Sequence, residues 1–198
     1  MHWISAPLAI CASAAAVWYF LLHTPVLLVL CALSFLLFIV LAVFFRDPKR
    51  DIGYGIVSPA DGVVDCIADD GSVLKVGVFM NLHNVHVNRS PIDGTIIKME
   101  YTPGGYAPAY KKEAERNEKL ATIIQSDIGD VRVEQITGAL VRRIVPYVKT
   151  GDSVKRGQKI GIVRFGSRVD TYLPANRVKA KVEIGQKLNA GQTMAERE

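Results

Sequence analysis

Three short segments carry side chains able to act together chemically. Ser58-Pro59-Ala60-Asp61-Gly62 is a turn that presents a carboxylate. His83-Asn84-Val85-His86-Val87-Asn88-Arg89 supplies two imidazoles. Phe165-Gly166-Ser167-Arg168 follows the apolar run Ile160 to Val163 and sets a hydroxyl beside a glycine. A Ser, a His and an Asp can form a proton relay: His takes the Ser proton, and Asp orients the imidazole and stabilises its charged form. Singly, each residue has an ordinary reading. Asp before Gly is a common turn residue, a His on a strand is commonly structural, and Gly-Ser is a common loop pair. No Gly-x-Ser-x-Gly elbow surrounds Ser167, which argues against an α/β-hydrolase. His83 and His86 are three apart, and odd spacing on a strand sends side chains to opposite faces. That spacing also disfavours a zinc hydrolase built from His83, His86 and Asp61.

The elements around these segments read as β-structure. Ile56-Val57, Gly62 to Val64, Val73 to Phe79, Val85 to Val87, Gly94 to Tyr101, Ala121 to Gln125, Val131 to Ile136, Lys159 to Phe165 and Val178 to Ile184 are β-branched or alternating, with Gly, Asp, Asn and Pro between them. One helix is expected, Pro108 to Glu118, ending at Arg116-Asn117-Glu118. Two internal echoes stand out. Ser58 to Gly62 recurs as Ser90-Pro91-Ile92-Asp93-Gly94, and Gly151 to Gln158 recurs as Gly185 to Gln192. The second echo resembles the turns of lipoyl- and biotinyl-type domains. The expected fold is therefore mainly β: a compact antiparallel barrel-sandwich with pseudo-repeats and a short helix. Turn chemistry alone is the other reading of such short echoes. A lipoyl- or biotinyl-like binding module is the non-enzymatic alternative, with Ile97-Lys98-Met99 as its weak match.

Charge divides the 198-residue chain. None of its 24 basic and 19 acidic residues occurs before Arg46. Two apolar runs, Trp3 to Leu22 and Val26 to Phe45, flank His23-Thr24-Pro25, and each has the ~20 residues that span a bilayer as a helix. Arg46, Lys49 and Arg50 follow at once, and the positive-inside rule puts that end in the cytoplasm. Residues 1–50 are thus expected to be a membrane-anchoring hairpin (about 3–22 and 26–45) with a basic flank. Residues 51–198 form one soluble domain on the cytoplasmic side of the cell (inner) membrane. The lack of a basic stretch before the first run, and the second run after it, argue against a signal peptide. Residues 46–138 hold 11 basic against 14 acidic side chains, and residues 139–198 hold 13 against 5. A basic third beside an anchor suits anionic headgroups. It lacks a nucleic-acid recognition motif, so no nucleic-acid partner is expected. Cys11, Cys31 and Cys66 have neither disulfide nor zinc spacing.

Taken in order, Ser58-Pro-Ala-Asp-Gly62, His83-Asn-Val-His-Val-Asn-Arg89, Arg116-Asn117-Glu118 and Phe165-Gly-Ser-Arg168 resemble the phosphatidylserine decarboxylase family in its short form, over nearly all of residues 46–198. Longer bacterial members have Leu-Gly-Ser-Thr at the cleavage site, where this chain has Phe-Gly-Ser-Arg. The resemblance implies a zymogen that cleaves itself between Gly166 and Ser167 into a β chain (1–166) and an α chain (167–198). In that scheme Ser167 is the nucleophile and becomes a covalent pyruvoyl group, His86 is the base and Asp61 orients it. The pyruvoyl forms a Schiff base with the amine of phosphatidylserine, releasing CO2 and leaving phosphatidylethanolamine. No metal is implied. His83 and Arg168 are the weaker candidates for substrate binding. The two chains stay associated, in a higher oligomer or not, and the partners are the lipid and the membrane. An archaetidylserine-type decarboxylase of the same mechanism is the alternative within the family.

Overall fold

The computed structural model describes residues 10–18, 20, 25–105, 107, 116–138, 143–163 and 167–198. The chain divides into two units, Met1–Arg46 and Asp47–Glu198. In the first, residues 10–18 are helical, and α1 runs from Pro25 to Phe44. α1 has 20 residues with a mean hydropathy of 3.3 in its most apolar window, long and apolar enough to cross a membrane. The Cys31 thiol lies 3.3 Å from the Ala12 carbonyl, so the two helical segments lie side by side. The expected start of the first run and the turn at 21–24 lie outside the described residues.

The second unit is mainly β and antiparallel. Its long sheet is built on β2 (Gly62–Asp69), β3 (Val73–Met80), β5 (Gly94–Thr102), β6 (Lys119–Ser126), β7 (Gly129–Ile136) and β11 (Ser167–Pro174). Short edge strands β9 (Ser153–Val154) and β13 (Lys187–Leu188) close it in the order β13-β2-β3-β11-β7-β6-β5-β9. Two three-stranded sheets pack with it. One joins β1 (Ile56–Val57), β14 (Thr193–Arg197) and β12 (Val178–Ala180). The other joins β4 (Val87–Arg89), β10 (Lys159–Val163) and β8 (Ile144–Pro146). Period-two alternation turns Val76, Val78, Val131, Val133, Val169 and Leu173 into the core. Each such side chain contributes about 1.5–3 kcal/mol by leaving water.

The expectation of a mainly β, antiparallel fold after an apolar N-terminal helix agrees with this architecture. Two details differ. β11, a central strand of the long sheet, is not among the expected strands; Arg168, Asp170 and Tyr172 alternate there with Val169, Thr171 and Leu173. Only Val178–Ala180 of the expected Val178–Ile184 strand pairs. Residues 108–115 of the expected helix lie outside the described residues. Its end is a clamp: the Asn117 amide bonds both polar groups of Ala107 and the Thr137 carbonyl.

The two echoes are halves of one structural duplication. Gly191 N–H donates to the Ser58 carbonyl, and Gly157 N–H to that of Ser90. The hydroxyls of Ser58 and Ser90 donate to the carbonyls of Ala60 and Ile92, each at 2.7 Å. Asp61 Oδ1 accepts from Ala190 N–H at 2.8 Å, and Asp93 Oδ1 accepts from Arg156 N–H at 2.9 Å. Gly151, Gly157, Gly185 and Gly191 all have positive φ between 80° and 96°, where a Cβ would be strained. Each half therefore staples one Ser-Pro-x-Asp-Gly turn to one Gly-Gln turn.

Asp61 exceeds its counterpart in one contact, an ion pair with Arg50 at 2.5 Å whose partners are 18% and 5% exposed. Asp93→Ala is expected to cost about 1 kcal/mol, one hydrogen bond. Asp61→Ala is expected to cost about 3 kcal/mol, because it strands the Arg50 charge as well. Urea unfolding of both variants checks this. Equal losses would mean that the ion pair contributes nothing.

Candidate active site

Ser167 is the first residue of β11. Its register partner on β3 is Met80, and the next residue, Arg168, pairs with Ile136 on β7. The nucleophile candidate thus begins a strand gripped on both sides. Its side chain faces inward with Val169, Thr171 and Leu173 and is fully buried. The hydroxyl lies 3.9 Å from the Met80 thioether. The same sulfur is 3.6 Å from Asn88 Nδ2, and Asn88 Oδ1 accepts from Gln135 Nε2 at 2.8 Å. Asn88 and Gln135 are buried as well. The buried Ser167 hydroxyl thus meets a thioether, and through that sulfur a pair of buried neutral amides.

His86 is fully buried two residues before Asn88, on the same side of the extended segment. Its backbone carbonyl accepts from Val163 N–H, which ties it to the strand leading toward Ser167. Nδ1 lies 2.9 Å from the Asn84 carbonyl. A carbonyl only accepts, so Nδ1 is the donor and the lone pair of the neutral ring sits on Nε2. Gly166 lies outside the described residues.

The other expected site residues fall elsewhere. Asp61 is buried, with one oxygen on Arg50 and the other on Ala190 N–H. His83 is exposed at a turn and lines a cleft, while His86 is buried, so the two imidazoles occupy different surroundings.

Arg168 points to the opposite face of β11 from Ser167, as strand alternation requires. Its guanidinium is held by Asp170 at 2.5 Å and Asp65 at 3.3 Å. It belongs to a network on the outer face that continues through Lys75–Asp170 at 2.9 Å and Tyr172–Glu134 at 3.1 Å to Arg132 and Lys119. Burial works to lower the Arg168 pKa, but Asp170 outweighs it and holds it above its usual value. Burial pushes the Asp65 carboxyl up. Burial, reinforced by Glu134 and Asp170, raises the Tyr172 phenol to about 12.

Sequence reasoning missed the Asn88–Gln135 link. Its available signal was that Asn88 is two residues from His86 and shares its face. Among the described residues, no group of three or more His, Cys, Asp or Glu is placed to hold a metal. Lys98 sits within β5 and is paired with Glu100 at 2.6 Å, whereas a carrier lysine must stand at an open hairpin tip.

Comparison with known proteins identifies the family. The family model described as phosphatidylserine decarboxylase matches residues 37–196. The phosphatidylserine decarboxylase proenzyme of Streptomyces coelicolor is 50% identical over 158 residues, covering 78% of this chain and 72% of the relative. That of Thermobifida fusca is 49% identical over 161 residues, covering 80% and 73%. A protein of Methanosarcina mazei, provisionally named an archaetidylserine decarboxylase proenzyme, is 48% identical over 158 residues, covering 78% and 74%. With nearly the whole of the second unit matched, including the strand that Ser167 opens, the chain belongs to the phosphatidylserine decarboxylase family.

Proposed function

We propose that this chain is a self-processing phosphatidylserine decarboxylase that converts phosphatidylserine to phosphatidylethanolamine and CO2. The observation that carries the reading is the placement of Ser167: fully buried, first in a strand held on both sides, within a chain half identical to named proenzymes.

Processing begins when Ser167 Oγ, its proton taken by His86 Nε2, attacks the Gly166 carbonyl. The Gly166–Ser167 peptide bond breaks, an ester to Oγ forms, and the Ser167 nitrogen becomes an amine. Loss of the Ser167 α-proton then breaks the Cβ–Oγ bond. This leaves a carboxylate on Gly166 and dehydroalanine at position 167. Water replaces the nitrogen, ammonia leaves, and the α chain starts with a pyruvoyl group. Asn84 orients His86 through its carbonyl. Asp61 is a positioning residue that fixes the turn leading into β2.

The buried surroundings of residue 167 fit a ketone, and Met80, Asn88 and Gln135 would hold it. The group supplies the electron sink that decarboxylation of an amino acid requires. Cleavage does not release the α chain. β11, β13 and β14 follow the cut, and they pair with β3 and β7, with β2 and with β1, all of which precede it. α1, and a hairpin completed by the helical residues 10–18, anchors the enzyme to the membrane that holds its substrate, with the soluble unit on the basic, cytoplasmic side.

The test is lipid analysis after incubation with phosphatidylserine in mixed micelles. Phosphatidylethanolamine and one CO2 per lipid are expected. Unchanged phosphatidylserine with fully processed enzyme would contradict the reading. Equal turnover of an archaetidylserine substrate would favour the archaeal variant.

A further inference from the structure

Arg168 is the residue next to Ser167, and its side chain reaches across two strands. The guanidinium leaves β11, passes over β3 and meets Asp65 on β2 at 3.3 Å, while its Nε bonds Asp170 on its own strand at 2.5 Å. Two strand spacings are ~10 Å, near the limit of an arginine and an aspartate placed end to end. Two features of the backbone make the crossing possible. On β3 the position under the guanidinium is Gly77, the register partner of Asp170. A Cβ there would stand 2.9 Å from Arg168 Nη2, 2.9 Å from Asp170 Oδ1 and 2.8 Å from Asp65 Oδ1. On β2 the register shifts between Val64 and Cys66, which makes Asp65 the extra residue of a β-bulge. Bulges re-aim a side chain, and this one offers its carboxylate to Arg168.

Stability does not account for this seat. The Arg168 side chain is 13% exposed and that of Asp170 3%, so both charges are largely dehydrated. Asp65 Oδ1 is buried without a hydrogen-bond partner. Buried ion pairs seldom repay the cost of dehydration, and apolar side chains in their place are often as stable.

The place of the seat along the chain gives it a use. Ser167 has a register partner on β3, Met80, and Arg168 is the first residue of β11 with partners on both β3 and β7. Before processing, residue 167 is held by a peptide bond at each end. The cut removes the bond to Gly166 and leaves residue 167 as a chain end at a strand terminus. Such ends fray unless they are tied down. Asp65 precedes the cut and Arg168 follows it, so their ion pair joins the two product chains one residue from the new end.

We propose that Arg168 is a positioning residue that keeps the processed residue 167 docked, so that its ketone stays in register for turnover. The proposal rests on the self-processing decarboxylase reading and deepens it: the clamp serves the processed enzyme rather than the cut.

The test compares full-length wild type, Arg168→Met, Gly77→Ala and Lys119→Met in detergent. Three quantities are followed: the time course of processing, kcat and KM for phosphatidylserine in mixed micelles, and labelling of the α chain by methoxyamine without lipid. Methoxyamine converts the ketone to an oxime ether with loss of water, which intact mass detects. Arg168→Met is expected to process at the wild-type rate. Its kcat should fall roughly tenfold or more at unchanged KM, since misplacing a reacting group by about 1 Å costs up to ~10²-fold. Methoxyamine should label it several times faster than wild type, because a locally opened end admits small reagents. Gly77→Ala displaces the same guanidinium from a strand that precedes the cut, and it should reproduce both effects. Lys119→Met removes the 3.6 Å ion pair with Glu134 at the far end of the outer network and should match wild type. Wild-type labelling and kcat in Arg168→Met would overturn the clamp. So would processing slowed as much as turnover, the mark of general disruption, or a raised KM at constant kcat, the mark of an arginine that binds the lipid phosphate. Equal losses in Lys119→Met would replace the clamp by a diffuse effect of the network. A wild-type chain that is cut and labelled yet leaves phosphatidylserine unchanged would sink the decarboxylase reading instead, and the labelling comparison would still decide the clamp.

Discussion

Ser167→Ala is expected to yield one uncut chain of 21.7 kDa with no decarboxylase activity. The substitution removes the only side-chain atom able to form the ester. It also removes very little structure, because the described contact of that hydroxyl is a thioether at 3.9 Å. A weak contact of this kind is worth under ~1 kcal/mol, so the variant should unfold within that margin of wild type. The stability comparison separates lost chemistry from lost folding. Ser167→Thr keeps the hydroxyl but adds a methyl group at a fully buried position, at a cost of about 1–3 kcal/mol. It should process slowly rather than not at all. Fragments from Ser167→Ala, cut at the same bond, would exclude Ser167 as the nucleophile.

The second large effect is expected at His86. Removing a positioned general base typically costs 10²–10⁴-fold in rate, so His86→Ala should accumulate precursor and process over hours to days. The buried ring leaves a cavity that added imidazole can enter. Its rescue of processing would show that a base, and not merely packing, was lost. Failure of rescue in a variant of wild-type stability would count against the base role. The rescued enzyme, freed of imidazole, then addresses decarboxylation. If His86 also protonates the α carbon of the product, turnover should fall. Full turnover would confine His86 to processing.

Much of this arrangement was legible in the sequence because it depends on short-range chemistry. The charge-free start, the β-branched runs and the Gly-Gln turns are local signals, and each corresponds to an element of the structure. The two echoes went further than turn chemistry. Neither repeat is closed within itself: Ser58 bonds across to Gly191 and Gln192, and Ser90 to Gly157 and Gln158. Only the pairing across more than 60 residues makes them one duplication.

What escaped the sequence depends on such distant partners. β11 was hidden because its outer side chains are charged, and their partners Asp65, Lys75 and Glu134 come from three other strands. The same alternation that hides the strand turns Arg168 away from Ser167, a consequence readable once the strand is recognised. The bonds of Asp61 to Arg50 and Ala190, and of His86 to the nearby Asn84 carbonyl, likewise join partners that the motifs do not name. Sequence proximity favoured that local bond, but a backbone carbonyl carries no sequence signal.

The central claim is that the chain cuts itself at Ser167 and turns that residue into a ketone. Intact mass spectrometry of the purified wild-type chain, combined with N-terminal sequencing of its fragments, tests it most directly. Two fragments are expected, 1–166 and 167–198, the shorter resistant to Edman degradation and one ammonia lighter than a serine-initiated peptide. A single uncut chain that decarboxylates phosphatidylserine, or a short fragment with a free serine amine, would contradict it.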